Sequence, residues 1–564
     1  MPVRIRSRFQ IFVLVSLLAA GAFCVRALSA FDIQYRGERV PPEFQNAPTQ
    51  REQFEPAAPQ AAPVLRTTYN RWLTAFFSAA VLNDPSQEST QWGRAADPDK
   101  DGAPNELEYF AGTSPVVPSA PLVPQLAFTT IGGDKFALVS FPLRKALSDP
   151  NRVVEIRAGD DLRALAPVNA TLVSAGVQDS ANPIEIASYR LPAPVNNQRS
   201  LIVSVAITAL LADSDADGLA DGIENGSHAF LGAHSPGTDA NAADTDADGI
   251  KDGDETLGTF ANLNLPEMGC NPVRRNILLE YDWFDDALEC TAHSHRPSQG
   301  AMDRLATAFA AAPIVNPDGT LGITVIQDRG SGGAFIGGNL VSNQDSAANL
   351  VGGVSGAAFY EHKGVNFAAN RHGYFHYVLL PHRYNTNSSS SGQAEVNGDD
   401  LIVSLYCSGS DLNVANTIMH ELGHNLGLRH GGNTNCNYKP NYNSVMNYRY
   451  QFPGVDTNCT IPGNGVLDYS RGLRLTLNET ALDENAGICG TTPVDFNNNG
   501  VIESNISVDL NSSDLDQANS CGGTLTILTD YNDWAQIFFG GIGDSDGARV
   551  DLVEVIECDN PAPL

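Results

Sequence analysis

Between residues 125 and 207 apolar and polar positions alternate in five short runs: 125–131, 135–141, 152–157, 184–190 and 200–207. Period-2 alternation turns one face of a strand to a core and the other to water. Gly132-Gly133 and Asp149-Pro150 separate the runs as turns, which predicts a small β-sandwich module over 119–210. After residue 265 strand patterns at 276–284, 322–328, 375–383 and 401–406 mix with helical periodicity. The spacing predicts helices over 300–312 and about 411–427, the latter carried by the stripe Leu412, Ala415, Met419, Leu422 and Leu426. A short helical stretch near 69–82 and Gly-rich loops at 330–338 and 352–356, expected to border a substrate cleft, complete the pattern.

The helix at 411–427 carries unusual chemistry on its polar positions. His420 and His424 lie one turn apart, so both imidazoles reach one ion. Glu421 projects from the neighbouring position, near a metal-activated water without being a ligand. Gly427 lets the backbone leave the helix through a positive φ and brings His430 back as third ligand. Three protein ligands and one position for water suit a catalytic Zn²⁺. An amphipathic helix that carries histidines by accident is the bland alternative. The chain has only 11 histidines, and three of them fall here at the required offsets.

Sixteen residues after His430 stands Met446, within Ser444-Val445-Met446-Asn447-Tyr448. Here the chain resembles the metzincin zinc endopeptidases, whose HExxHxxGxxH motif is followed by a Met-containing turn. The resemblance implies a metzincin-like α+β catalytic domain over 265–558: a mixed twisted sheet, an active-site helix and a loop-rich, disulfide-bonded lower half. It also implies that Met446 forms an apolar floor beneath the zinc and that Tyr448 points its hydroxyl toward the metal.

Three earlier segments fit the calcium pattern D-x-[DN]-x-[DN]-G-x₅-E. Their ligand positions are Asp97, Asp99, Asp101 and Glu108; Asp213, Asp215, Asp217 and Glu224; and Asp244, Asp246, Asp248 and Glu255. Glycine at position 6 permits the turn that brings the oxygens together, and the glutamate closes the site around Ca²⁺. The first loop, within 67–118, resembles dockerin-like loops. The pair within 211–258 resembles thrombospondin type 3 repeats, which implies a calcium-stiffened spacer. A fourth loop, from Asp495 to Gly500, has Ile506 where the closing acid should stand. A solvated acidic linker is the alternative for all four.

The N-terminus changes the compartment. Arg4, Arg6 and Arg8, an apolar run over 9–25 and small residues near Ala30 read as a secretory signal over 1–30, followed by a Pro/Gln/Ala-rich linker over 31–66. The eight cysteines beyond the signal (270, 290, 407, 436, 459, 489, 521 and 558) then read as disulfides. A net charge of −31 argues against nucleic acid or an anionic membrane as partner. His293 and His295 form an HxH pair, and His376 and His382 flank a strand; all four read as loop or surface residues. The expected function is a secreted zinc-dependent endopeptidase acting on proteins or peptides, with Glu421 as general base. The alternatives are a calcium-stabilised adhesion or binding protein with a protease-like domain that no longer cuts, and a purely structural zinc.

Overall fold

The computed structural model describes residues 66–539, except 121, 147, 176–181, 197–199, 288–289, 343, 345–346, 352–356, 387–389, 408 and 515–520. It also describes strands Ile11–Ser16 and Glu554–Pro561. The chain forms two compact units, one built on 69–144 and 152–209, the other on 210–564 with 62–68 and 145–151.

In the first unit, Gln125–Ile131, Asp134–Arg144, Ile184–Arg190 and Thr171–Ala175 make a four-stranded antiparallel sheet. A second sheet orders Ile11–Ser16, Ser200–Ala209, Arg152–Gly159 and Ala166–Pro167. Val139, Phe141 and Leu143 of one sheet share a core with Val203, Val205 and Ile207 of the other, as alternating patterns require. The rest of the expected signal and the 31–66 linker, save Arg66, lie outside the described residues. Expected as one helical stretch, 69–82 forms two short helices, Tyr69–Leu73 and Ala79–Leu82.

In the second unit, six strands form one sheet: β1 Asn276–Trp283, β2 Thr324–Asp328, β3 His376–Leu380, β4 Ser390–Val396, β5 Asp400–Val403 and β6 Glu554–Pro561. Their order is β2-β1-β3-β5-β4-β6. The first four positions run parallel, whereas β4 is antiparallel to both β5 and β6. β1 and β3 are buried along their whole length, although β1 carries Glu280 and Asp282 among its apolar residues. Four helices matter for the site: α1 Gln299–Ala310, α2 Phe359–Asn366, α3 Asp411–Asn425 and α4 Tyr448–Gln451. Leu305 and Phe309 of α1 and Ile418, Met419 and Leu422 of α3 join Leu279, Tyr281 and Val378 in one core. The loop at 330–338 closes over a buried ion cluster: Arg371 pairs with Glu280 and Asp328, and Gly337 N–H donates to Asp328 at 2.8 Å. The companion loop at 352–356 lies outside the described residues.

Three disulfides, Cys290–Cys407, Cys436–Cys521 and Cys459–Cys489, fasten this unit. Cys270 departs from the even-number expectation: it is a buried free thiol. Two of the bridges staple the loop-dominated region beyond residue 430, where regular elements are short. No described helix is long and apolar enough to cross a membrane.

Candidate active site

Ser410 caps α3 by accepting the Asn413 N–H at 3.1 Å, and the helix runs to Asn425, two residues short of the expected end. There Gly427 takes φ 89°, Gly427 N–H donates to His424 O and Leu428 N–H to Gly423 O. A positive φ costs glycine little, and these bonds satisfy carbonyls the last turn leaves orphaned. The chain then turns back and delivers His430 beside His420 and His424, with ring centroids 5.0 to 5.3 Å apart.

All three rings are fully buried, and one ligating nitrogen from each lies within 4.8 Å of the others. His420 Nδ1 donates to the Val445 carbonyl and His424 Nδ1 to the Leu428 carbonyl, each at 2.7 Å. A carbonyl only accepts, so these bonds fix the proton on Nδ1 and leave Nε2 as the ligating nitrogen. Burial pushes His420 down to about 4 and His424 well below the usual range. His420 and His424 are therefore neutral, the form in which imidazoles bind a metal. The donor set fits a Zn²⁺ centre.

Glu421 is also fully buried and lies against Gly392 of β4, where any Cβ would collide with its carboxylate. Met446 packs against Gly423, the residue before His424, with Sδ where a Gly423 side chain would be. Tyr469 O–H donates to Met419 O at 2.6 Å on the same side of the helix. Gly423→Ala should therefore lower stability by about 1–3 kcal/mol, as overpacked cores do. Thermal unfolding checks this, and a melting temperature equal to the parent's would contradict the close approach. Tyr448 is buried with its ring 4.4 Å from that of His430 and 5.8 Å from that of His420.

These parts lie on one stretch of chain. Residues 342–464 match the gametolysin peptidase M11 family model. The matched stretch contains β3, β4, β5, all three histidines, Glu421 and the Met446 turn, and it supports a metallopeptidase. A hydrolase that needs a metal and acts on proteins is thus borne out at that level. No curated protein and no solved structure matches the chain.

One residue that sequence reasoning passed over, Asn425, holds the helix in place. Asn425 Nδ2 donates to Glu395 O and Asp400 O, at 2.9 and 3.0 Å, which ties the end of α3 to β4 and β5. Its Oδ1 lies 3.1 Å from Nδ1 of His376. The surface reading of His376 is therefore corrected: it is buried in the sheet, its ring held by an amide on the zinc-motif helix. His382 is corrected likewise, being buried at the end of β3 against His293 and His295.

The acidic loops share one geometry. Lys100, Ala216 and Ala247, each at position 4, have φ 64°, 63° and 62°. The glycine N–H at position 6 donates to the first aspartate in each: Gly102 to Asp97, Gly218 to Asp213 and Gly249 to Asp244, at 2.9 to 3.1 Å. One oxygen each of Asp99, Glu108, Asp215, Asp217, Glu224, Asp246 and Glu255 is buried without a hydrogen-bond donor. Hard oxygens gathered without donors are what a Ca²⁺ site needs. Burial and mutual repulsion push Glu108 and Glu224 up to about 8 and Asp246 up to about 9. The fourth loop copies the turn, with Asn498 at φ 55° and Gly500 N–H on Asp495 at 2.7 Å, yet its Ile506 supplies no oxygen.

The third loop is more than a spacer. Asp248 accepts the Asn276 N–H at 2.7 Å, and Glu255 accepts the Asn276 Nδ2 at 2.8 Å and the Asn271 N–H at 3.1 Å. Asn276 opens β1, so the loop is bonded to the first strand of the central sheet.

Proposed function

We propose that the protein is an exported zinc endopeptidase whose centre is His420, His424 and His430. The observation that carries this is the convergence of three buried imidazoles beside a buried carboxylate, inside the stretch that matches a metallopeptidase family. Zn²⁺ held there would polarise the scissile carbonyl and make hydroxide available near neutrality. Glu421 takes the proton of the attacking water and passes it to the departing amine. The Tyr448 hydroxyl stabilises the negative charge that develops on the carbonyl oxygen. Met446 forms the apolar floor, and the two Nδ1 bonds keep the ligand rings from turning. The three acidic loops bind Ca²⁺. The three disulfides support an oxidising, extracellular setting.

Casein cleavage by the purified chain tests the proposal. Cleavage should stop with a zinc-selective chelator, return with added Zn²⁺ and yield to a hydroxamate, which needs a free coordination position. Cleavage indifferent to all three would refute the zinc mechanism, and zinc binding without hydroxamate sensitivity would favour a structural ion.

One observation favours the adhesion reading. β6 covers the outer edge of β4, pairing Cys558 with Gly392, the residue against Glu421. That edge is where an extended peptide would add as a strand beside the general base. Under the peptidase reading, a variant lacking 554–561 should cleave peptides with a higher kcat/KM and mainly a lower KM. A variant that binds no peptide and cuts none would support the protein that no longer cuts.

A further inference from the structure

Six of the 11 histidines gather in two trios, and the zinc motif accounts for only one. His293, His295 and His382 form the other, with one ligating nitrogen from each within 4.8 Å of the others. Their ring centroids lie 4.6, 5.7 and 5.6 Å apart, against 5.0 to 5.3 Å in the first trio. We propose that these three imidazoles form a second transition-metal site, separate from the peptidase centre and of the same ligand class.

Topology brings the residues together. His293 lies in a two-stranded ribbon, where it pairs with Asp286. His295 N–H donates to Phe284 O at 2.9 Å, and Phe284 N–H donates to Leu380 O at 3.0 Å. That chain of bonds sets the HxH pair beside the end of β3, two residues from His382. On the other side, Tyr406 N–H donates to His382 O at 3.2 Å, and its ring lies 5.0 Å from that of His382. The Cys290–Cys407 disulfide joins the ribbon of His293 to the Tyr406 segment, which is hydrogen-bonded to His382. His293 Nδ1 is 2.9 Å from the Thr291 carbonyl, which holds the proton on Nδ1 and makes Nε2 the lone-pair nitrogen. His420 and His424 of the first trio are oriented in the same way.

A tetrahedral ion with Zn–N bonds of about 2.0–2.1 Å spaces its nitrogens about 3.4 Å apart, within reach by small side-chain rotations. An all-imidazole set without carboxylates suits Zn²⁺, Cu²⁺ or Ni²⁺ and not Ca²⁺ or Mg²⁺. With the fourth position taken by water, the ion clasps the ribbon to the sheet alongside the disulfide. The rival for this cluster is a stack of neutral rings that binds nothing.

Zinc stoichiometry of the full chain separates the two. Protein stripped with dipicolinate and held in Ca²⁺ is titrated with Zn²⁺ alone, and bound metal is counted by elemental mass spectrometry. The parent should retain two equivalents, His293→Gln/His295→Gln one, and His420→Gln/His424→Gln one. Loss only in the second double variant, with a parent that holds a single ion, would overturn the second site and leave the peptidase centre standing. Two ions retained by His293→Gln/His295→Gln would overturn it as well. Should that variant misfold, diethyl pyrocarbonate labelling of the parent replaces it. Zn²⁺ should slow modification of the half-exposed His293 and His295 at least tenfold, and equal rates with and without the ion would refute binding.

Discussion

Glu421→Ala should lower kcat/KM for peptide hydrolysis by about 10²–10⁴ while leaving zinc content and melting behaviour close to the parent's. The carboxylate is not a ligand, so its removal leaves His420, His424 and His430 in place. Their orientation depends on Val445 O and Leu428 O, which the substitution does not touch. Space is a second reason to expect a folded variant. Glu421 lies against Gly392, and shortening the side chain relieves that contact. Metal analysis run beside the kinetics decides the cause: activity lost together with zinc would mean that Glu421 supports the site instead of moving a proton. Full activity in a zinc-loaded variant would remove it from the reaction.

Calcium withdrawal should produce the second large effect, a drop in melting temperature and faster proteolysis of the second unit. A site at 100 times its dissociation constant contributes about 2.7 kcal/mol. The loss here goes further, because buried carboxylates are left facing one another without a cation. Desolvation already pushes Asp246 up to about 9 and Asp248 up to about 7. Since Asp248 and Glu255 both bond Asn276, loosening this loop frees the start of β1, which lies between β2 and β3 in the sheet that carries the candidate site. Asp246→Asn, which keeps the shape and removes the charge, should abolish most of the calcium-dependent shift in the second unit. Identical unfolding curves with and without a calcium-selective chelator, at fixed ionic strength, would reject calcium as the stabilising ion.

How much of this could be read beforehand follows from the range of the forces involved. The peptidase motif is local: a helix repeat of 3.6 residues aligns His420 and His424, and one glycine redirects the chain to His430. Strands Gln125–Ile131 and Ile184–Arg190 were equally local, because each needs only alternation and flanking turns. β4 escaped notice because Ser390–Val396 contains serines, glycine, glutamine and glutamate, with Val396 its only β-branched residue. Its place is fixed by backbone pairing to β5 and β6 and by Gly392, which must be small beside Glu421.

Residue order alone therefore pointed to the helical histidine motif, the carboxylate loops and the alternating segments. Folding decided which distant pieces meet. His382 joined an HxH pair almost ninety positions away, and Asn276 joined an acidic loop outside its own sheet. Those encounters depend on strand order and on the Cys290–Cys407 link. Neither leaves a periodic trace in the chain, because contacts between remote segments are chosen by the packing of the whole core.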